Sequence, residues 1–138
     1  QRSAEVVEGA MKKLFLLLCA TLIAPLAAFA GDISNISHDE LVKAVESKSA
    51  AIIDVNGTES YKEGHIPTAI DFEAAKADLA AQLPKDKSAL VVAYCGSPAC
   101  GAYKKAAKAA VALGYTNVKH YSGGLSGWRE AKAPLEKS

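Results

Sequence analysis

The chain has 138 residues, half of them hydrophobic and 22% charged, enough for one globular domain and too few for a two-domain enzyme or a repeat array. Sixteen Lys and Arg against fifteen Asp and Glu leave a formal charge of +1, and only 7% of residues are aromatic, so the sequence offers no footprint for nucleic acid. Three cysteines are too few for a disulfide scaffold, so their positions matter more than their number.

Met11-Lys12-Lys13 is followed by an apolar run from Leu14 to Ala27 and by the small-x-small ending Ala28-Phe29-Ala30. This is the layout of a secretory signal peptide cleaved after Ala30. The apolar run is about 14 residues, shorter than the roughly 20 a spanning helix needs. The reading is therefore an exported protein, periplasmic or secreted, with no stable membrane span after cleavage. Residues 1–10 are read as an upstream extension or added residues, and 31–138 as the folded domain. Cleavage would remove Cys19 and leave thirteen Lys and Arg against thirteen Asp and Glu. That even balance gives no sign of self-association, and a monomer is expected in a compartment where disulfides can persist.

Ser37-His38-Asp39-Glu40 has the pattern of a capping box, and Leu41, Val42 and Val45 continue it as an apolar helical face ending near Ser47. Ala51 to Val55 reads as a buried strand stopped by Asn56-Gly57. Thr58 to Tyr61 suits one helical turn, Ala69-Ile70 a brief strand, and Phe72 to Leu83 a helix stopped by Pro84. Leu90 to Tyr94 is a second buried strand running directly into Cys95-Gly96-Ser97-Pro98-Ala99-Cys100-Gly101. A helix follows from about Ala102, with Tyr103, Ala106, Ala110 and Leu113 on one face and Gly114 as its C′ residue. Asn117 to Tyr121 is a further strand, and a last short helix follows Ser122-Gly123-Gly124. Strands alternating with helices predict an α/β domain of three layers, with a mostly parallel central sheet of about five strands flanked by helices.

Ligands of open parallel sheets gather at the carboxyl ends of strands. Cys95 stands at such an end and faces a helix N-terminus. The amides of Gly96, Ser97, Ala99, Cys100 and Gly101 are available to converge on its sulfur, while Pro98 stiffens the loop. Donors and dipole together favour a thiolate, with a pKa below the free value of about 8.5. A cysteine phosphatase or arsenate reductase would need an Arg six residues after the nucleophile to clamp an oxyanion, and that position is Gly101. A zinc site lacks the spacing of structural sites, so no metal or cofactor is assigned. Asp54 reads as a hydrogen-bond anchor at a strand end, and His65 as a residue whose ring bonds local backbone. His120 reads as structural or exposed, and Trp128 as packed against the core as a lid on the sheet edge. Cys100 is a candidate redox partner of Cys95, by disulfide closure or attack on a Cys95 persulfide.

Three segments carry a resemblance to the single-domain rhodanese-like family of sulfurtransferases. They are Asp54-Val55 with Tyr61 to Ile70, Tyr94-Cys95 with its six-residue loop, and Gly114 to Val118 leading to Gly123-Gly124-Leu125-Ser126-Gly127-Trp128. The resemblance covers nearly all of 31–138. It implies the rhodanese fold and a Cys95 nucleophile that takes a sulfane sulfur from a small donor as a persulfide. The acceptor would be a thiol, a cyanide-like nucleophile or a protein. Residues 96–101 would form the anion-binding loop, with Asp54 and His65 as structural residues near the site. Asn56 stands where the family often has Arg, and Thr68 where it usually has Gly. The loop holds no Lys or Arg to meet a dianion such as thiosulfate; Lys104 and Lys105 follow only in the next turns. Two alternatives accompany this reading: a non-catalytic sulfur-carrying or protein-binding module, and a thiol–disulfide redox protein using Cys95 and Cys100.

Overall fold

The computed structural model describes residues 33–138, so the predicted leader, Cys19 and the upstream residues lie outside the described residues. In chain order the elements are β1 (Ser34–Asn35), α1 (His38–Glu46), β2 (Ala50–Asp54), α2 (Thr58–Glu63), β3 (Ile70–Asp71), α3 (Phe72–Ala75), α4 (Leu79–Gln82), β4 (Leu90–Tyr94), α5 (Tyr103–Ala112), β5 (Asn117–His120) and α6 (Gly124–Glu130). The five strands form one sheet in the order β1-β5-β4-β2-β3, and every pairing is parallel. Among the described residues no helix is long and apolar enough to cross a membrane.

Period-two alternation divides the core between the two faces of the sheet. Ile52, Val92 and Tyr94 point to one side, where they meet Leu41 of α1 and Leu125 and Trp128 of α6. Ile53, Val91 and Ala93 point to the other, against Leu79 and Ala106, Ala107 and Ala110 of α5. Three layers result, as predicted. Small alanines let α5 lie close over β4 and β5, which fixes where its N-terminus meets the end of β4.

The Ser37 capping box forms as predicted: the Ser37 hydroxyl accepts the Glu40 amide at 3.2 Å, and the Glu40 carboxylate accepts the Ser37 amide at 3.0 Å. Gly114 closes α5 with φ +95°, the left-handed C′ conformation. Three local expectations are corrected. The single helix expected over 72–83 is two short helices joined by a 3₁₀ turn (Lys76–Asp78), because Asp78 leaves helical geometry at φ −143°, ψ 46°. Leu113 is exposed, because α5 has ended by then, and Ala107 takes its place on the apolar face. Trp128 packs against the core as expected, but within the α1/α6 layer beside residues of the central strands and not at the sheet edge; its Nε1–H donates to the Pro134 carbonyl at 2.7 Å. The two-residue β1 carries no signal beyond Ile33 and Ile36, and it is held by pairing to β5.

Candidate functional site

Cys95 follows β4 directly, in the middle of the sheet, and is 3% exposed. Its loop closes on a turn in which the Cys100 amide donates to the Ser97 carbonyl at 3.1 Å. The Cys100 amide is thus spent inside the loop and does not reach the sulfur. The donor that does is the Tyr103 N–H, 3.1 Å from Cys95 Sγ. It is free because α5 has no side-chain N-cap, while the Lys104 and Lys105 amides are taken by the carbonyls of Gly101 and Ala102. The thiol itself donates to the Cys100 carbonyl at 3.6 Å.

The opening of α6 holds the loop from the other side. Leu125 N–H donates to the Cys95 carbonyl at 2.8 Å, and Ser126 N–H to the Gly96 carbonyl at 2.9 Å. In a trans peptide the carbonyl and the next N–H point in opposite directions, so these bonds turn the Gly96 and Ser97 amides away from α6. The approach is so close that a Cβ on Gly124 would lie 2.8 Å from both the Cys95 carbonyl oxygen and the Ser97 nitrogen. Gly124 also takes φ +62°. Glycine is required there on both counts.

Electrostatically the free thiol departs from the sequence expectation. Burial pushes the Cys95 pKa up to about 11, the hydrogen bond with Cys100 adds to the rise, and the Tyr103 and Ala102 amides only partly oppose it. A low pKa requires the donors to outweigh desolvation, and here desolvation wins. At Cys100 partial burial pushes upward, but the hydrogen bond from Cys95 and the Ala102 and Gly96 amides together hold the thiol below its ordinary value. Both cysteines are free thiols.

Cys95 opens on a small pocket lined by Ser97, Pro98, Cys100, Tyr103, His120, Tyr121 and Ser122. His120 was expected to be structural or exposed. It is half-buried and lines the pocket, its ring stacks on Tyr103 with centroids 4.1 Å apart, and its Nδ1 is buried with no hydrogen-bond partner among the described residues. Strand order reveals it: β5 is next to β4, so both carboxyl ends share one rim. Tyr103 was legible only as an apolar-face residue, because its contribution is a main-chain N–H. Gly101, Lys104 and Lys105 are exposed and do not line the pocket.

Asp54 and His65 are both buried and hydrogen-bonded. Tyr94 Oη donates to Asp54 Oδ2 at 2.5 Å and accepts the Ile66 N–H at 3.0 Å, and Asp54 Oδ1 accepts the Asn56 N–H at 2.8 Å. Burial pushes the Asp54 carboxyl above its usual range, and the Tyr94 hydroxyl and Asn56 amide oppose the rise. His65 Nδ1 donates to the Tyr61 carbonyl at 2.7 Å, and its ring stacks on Tyr61 at 3.7 Å. Asn56 lies beside the loop, its Oδ1 3.2 Å from where a Gly96 Cβ would stand; its Nδ2 is buried without a partner among the described residues. Among the described residues no cluster of metal-ligating side chains is present.

The sequence model of the family described as "Rhodanese-like domain" matches residues 37–131. Thiosulfate sulfurtransferase GlpE of Shewanella oneidensis is 31% identical over 100 residues, covering 72% of this chain and 95% of that protein. The HTH-type transcriptional regulator Rv0324 of Mycobacterium tuberculosis is 32% identical over 121 residues, 83% of this chain, which spans only about half (52%) of that relative. The crystal structure of BH2092 protein from Bacillus halodurans superposes with a TM-score of 0.60 at 26% identity, covering 96% of this chain and 85% of that one.

Proposed function

The chain belongs to the rhodanese-like domain family, and from that premise we propose that it is a sulfurtransferase in which Cys95 carries the sulfur. The Cys95 thiolate attacks the sulfane sulfur of a donor, the donor's remaining fragment leaves with the bonding electrons, and a Cys95 persulfide remains. A thiol or cyanide-like acceptor then attacks the outer sulfur, and the Cys95 thiolate leaves. No metal or redox cofactor is needed for this exchange. The observation that carries the reading is the Tyr103 N–H at 3.1 Å from Cys95 Sγ, at the rim of a parallel sheet and beside a pocket. It supports the reading because negative charge returns to Sγ each time sulfur departs, and a fixed main-chain donor stabilises it there without reorganisation.

The donor class is a small persulfide or polysulfide. Ser97, Tyr103, His120, Tyr121 and Ser122 give the pocket polar groups but no permanent cation, so the sulfonate end of thiosulfate gains little there. Export to the periplasm or beyond is part of the proposal and rests on the sequence pattern of residues 11–30 alone. Cyanide-dependent thiocyanate formation, assayed with a polysulfide and with thiosulfate, tests the reading. Activity is expected with polysulfide in the parent protein and none in Cys95→Ser; undiminished turnover in Cys95→Ser refutes it.

A further inference from the structure

Cys100 is the group at this pocket that sulfur loading of Cys95 leaves unused. The turn from Ser97 to Cys100 folds the loop back on its own start, so that the Cys95 thiol donates to the carbonyl of residue 100 at 3.6 Å. Both cysteines line the same pocket, and Cys100 is half-buried and open to it. A sulfur loaded on Cys95 is therefore held beside a second nucleophile within the same loop.

Building on the proposed persulfide, we propose that Cys100 resolves it: the Cys100 thiolate attacks Cys95 Sγ, the S–S bond to the outer sulfur breaks, and hydrosulfide leaves as the Cys95–Cys100 disulfide forms. Atoms and electrons balance. The outer sulfur takes the bonding pair and is released at the level of sulfide, while the two cysteine sulfurs become the disulfide. An external dithiol then reduces this disulfide by thiol exchange and returns both thiols, so each cycle converts one sulfane sulfur and one dithiol into sulfide and a disulfide. Cys100 is the more acidic of the two thiols and so the more readily ionised attacker. Attack by Cys100 on the outer sulfur would only move the persulfide to residue 100, whereas attack on Cys95 Sγ releases the sulfur and closes the loop's own disulfide.

The test uses the full chain, loaded with inorganic polysulfide under anaerobic conditions, freed of excess by gel filtration and kept without external thiol. The parent protein is expected to release one sulfide per chain, its peptide spanning Cys95 and Cys100 ending about 2 Da below the dithiol mass. In Cys100→Ser and Cys100→Ala the same peptide is expected to stay about 32 Da above its reduced mass and to release sulfide only when a dithiol is added. A parent protein that keeps the added mass, or Cys100 variants that release sulfide at the parent's rate, overturns the proposal. If the Cys100 variants never gain that mass, the persulfide reading itself fails, and this proposal fails with it.

Discussion

Replacing Gly124 by Ala tests how the active loop is held, and its cost can be worked from two separate terms. At φ +62° an L side chain pays about 1–2 kcal/mol for left-handed backbone. The new methyl would also lie 2.8 Å from the Cys95 carbonyl oxygen and the Ser97 nitrogen and 2.9 Å from the Gly96 carbon. All three are main-chain atoms that cannot rotate away, and such overpacking costs a further ~1–3 kcal/mol. The sum is about 2–5 kcal/mol, relieved only by moving α6 off the loop and losing the Leu125 and Ser126 hydrogen bonds. Two other glycines separate the terms. Gly114 has φ +95° but nothing within 4 Å of its Cβ position, and Gly101 has neither constraint. Urea unfolding should therefore rank Gly101→Ala near the parent, Gly114→Ala about 1 kcal/mol below it and Gly124→Ala at least a further kcal/mol lower. Sulfur loading, read on the same preparations, should fall only in Gly124→Ala. Equal stability and equal loading for Gly124→Ala and Gly114→Ala would refute the argument that α6 positions the loop.

Iodoacetamide at neutral pH should label Cys100 before Cys95, and the Cys95 rate should climb about tenfold per pH unit towards a pKa of about 11; a Cys95 plateau near pH 7 contradicts this. Because folding raises that pKa above the unfolded value, the Cys95 contribution to stability is present below about pH 9 and is lost as the pH rises towards 11, which alkaline unfolding of the parent and Cys95→Ser compares. Tyr94→Phe leaves the buried Asp54 carboxylate and the Ile66 amide without their partner, and chemical denaturation should show a loss of about 2–4 kcal/mol. Thr68, a β-branched residue at φ +71°, is strained, and its hydrogen bond to Glu136 comes from the main-chain N–H that glycine keeps, so Thr68→Gly should raise the unfolding free energy by up to about 1 kcal/mol; a drop instead would contradict the strain.

Periodicity and punctuation made much of the fold legible. The apolar runs at 50–54 and 90–94 are continuous because both faces of a parallel strand are covered, and the Ser37 box and Gly114 mark helix ends by local chemistry. Where an element depends on a neighbour distant in sequence, the sequence was silent. β1 exists through its pairing to β5, and the break at Asp78 is decided by how Leu79 and Leu83 reach the sheet. The position of Cys95 was legible for the same reason as its strand, but its protonation was not. Spacing counts amides near a sulfur without saying which are already engaged, and here the Cys100 amide serves the turn while Tyr103 supplies the donor. Burial could not be read at all, and it dominates the thiol's pKa. His120 entered the pocket through strand order, which no single segment encodes.

The central claim is that sulfur travels on residue 95. Peptide-resolved mass spectrometry of polysulfide-treated, alkylation-trapped Cys100→Ser protein tests it most directly. An added mass of about 32 Da confined to the peptide bearing Cys95, and absent after Cys95→Ser, is the predicted result. The same addition persisting in Cys95→Ser, or no addition on that peptide, would contradict it.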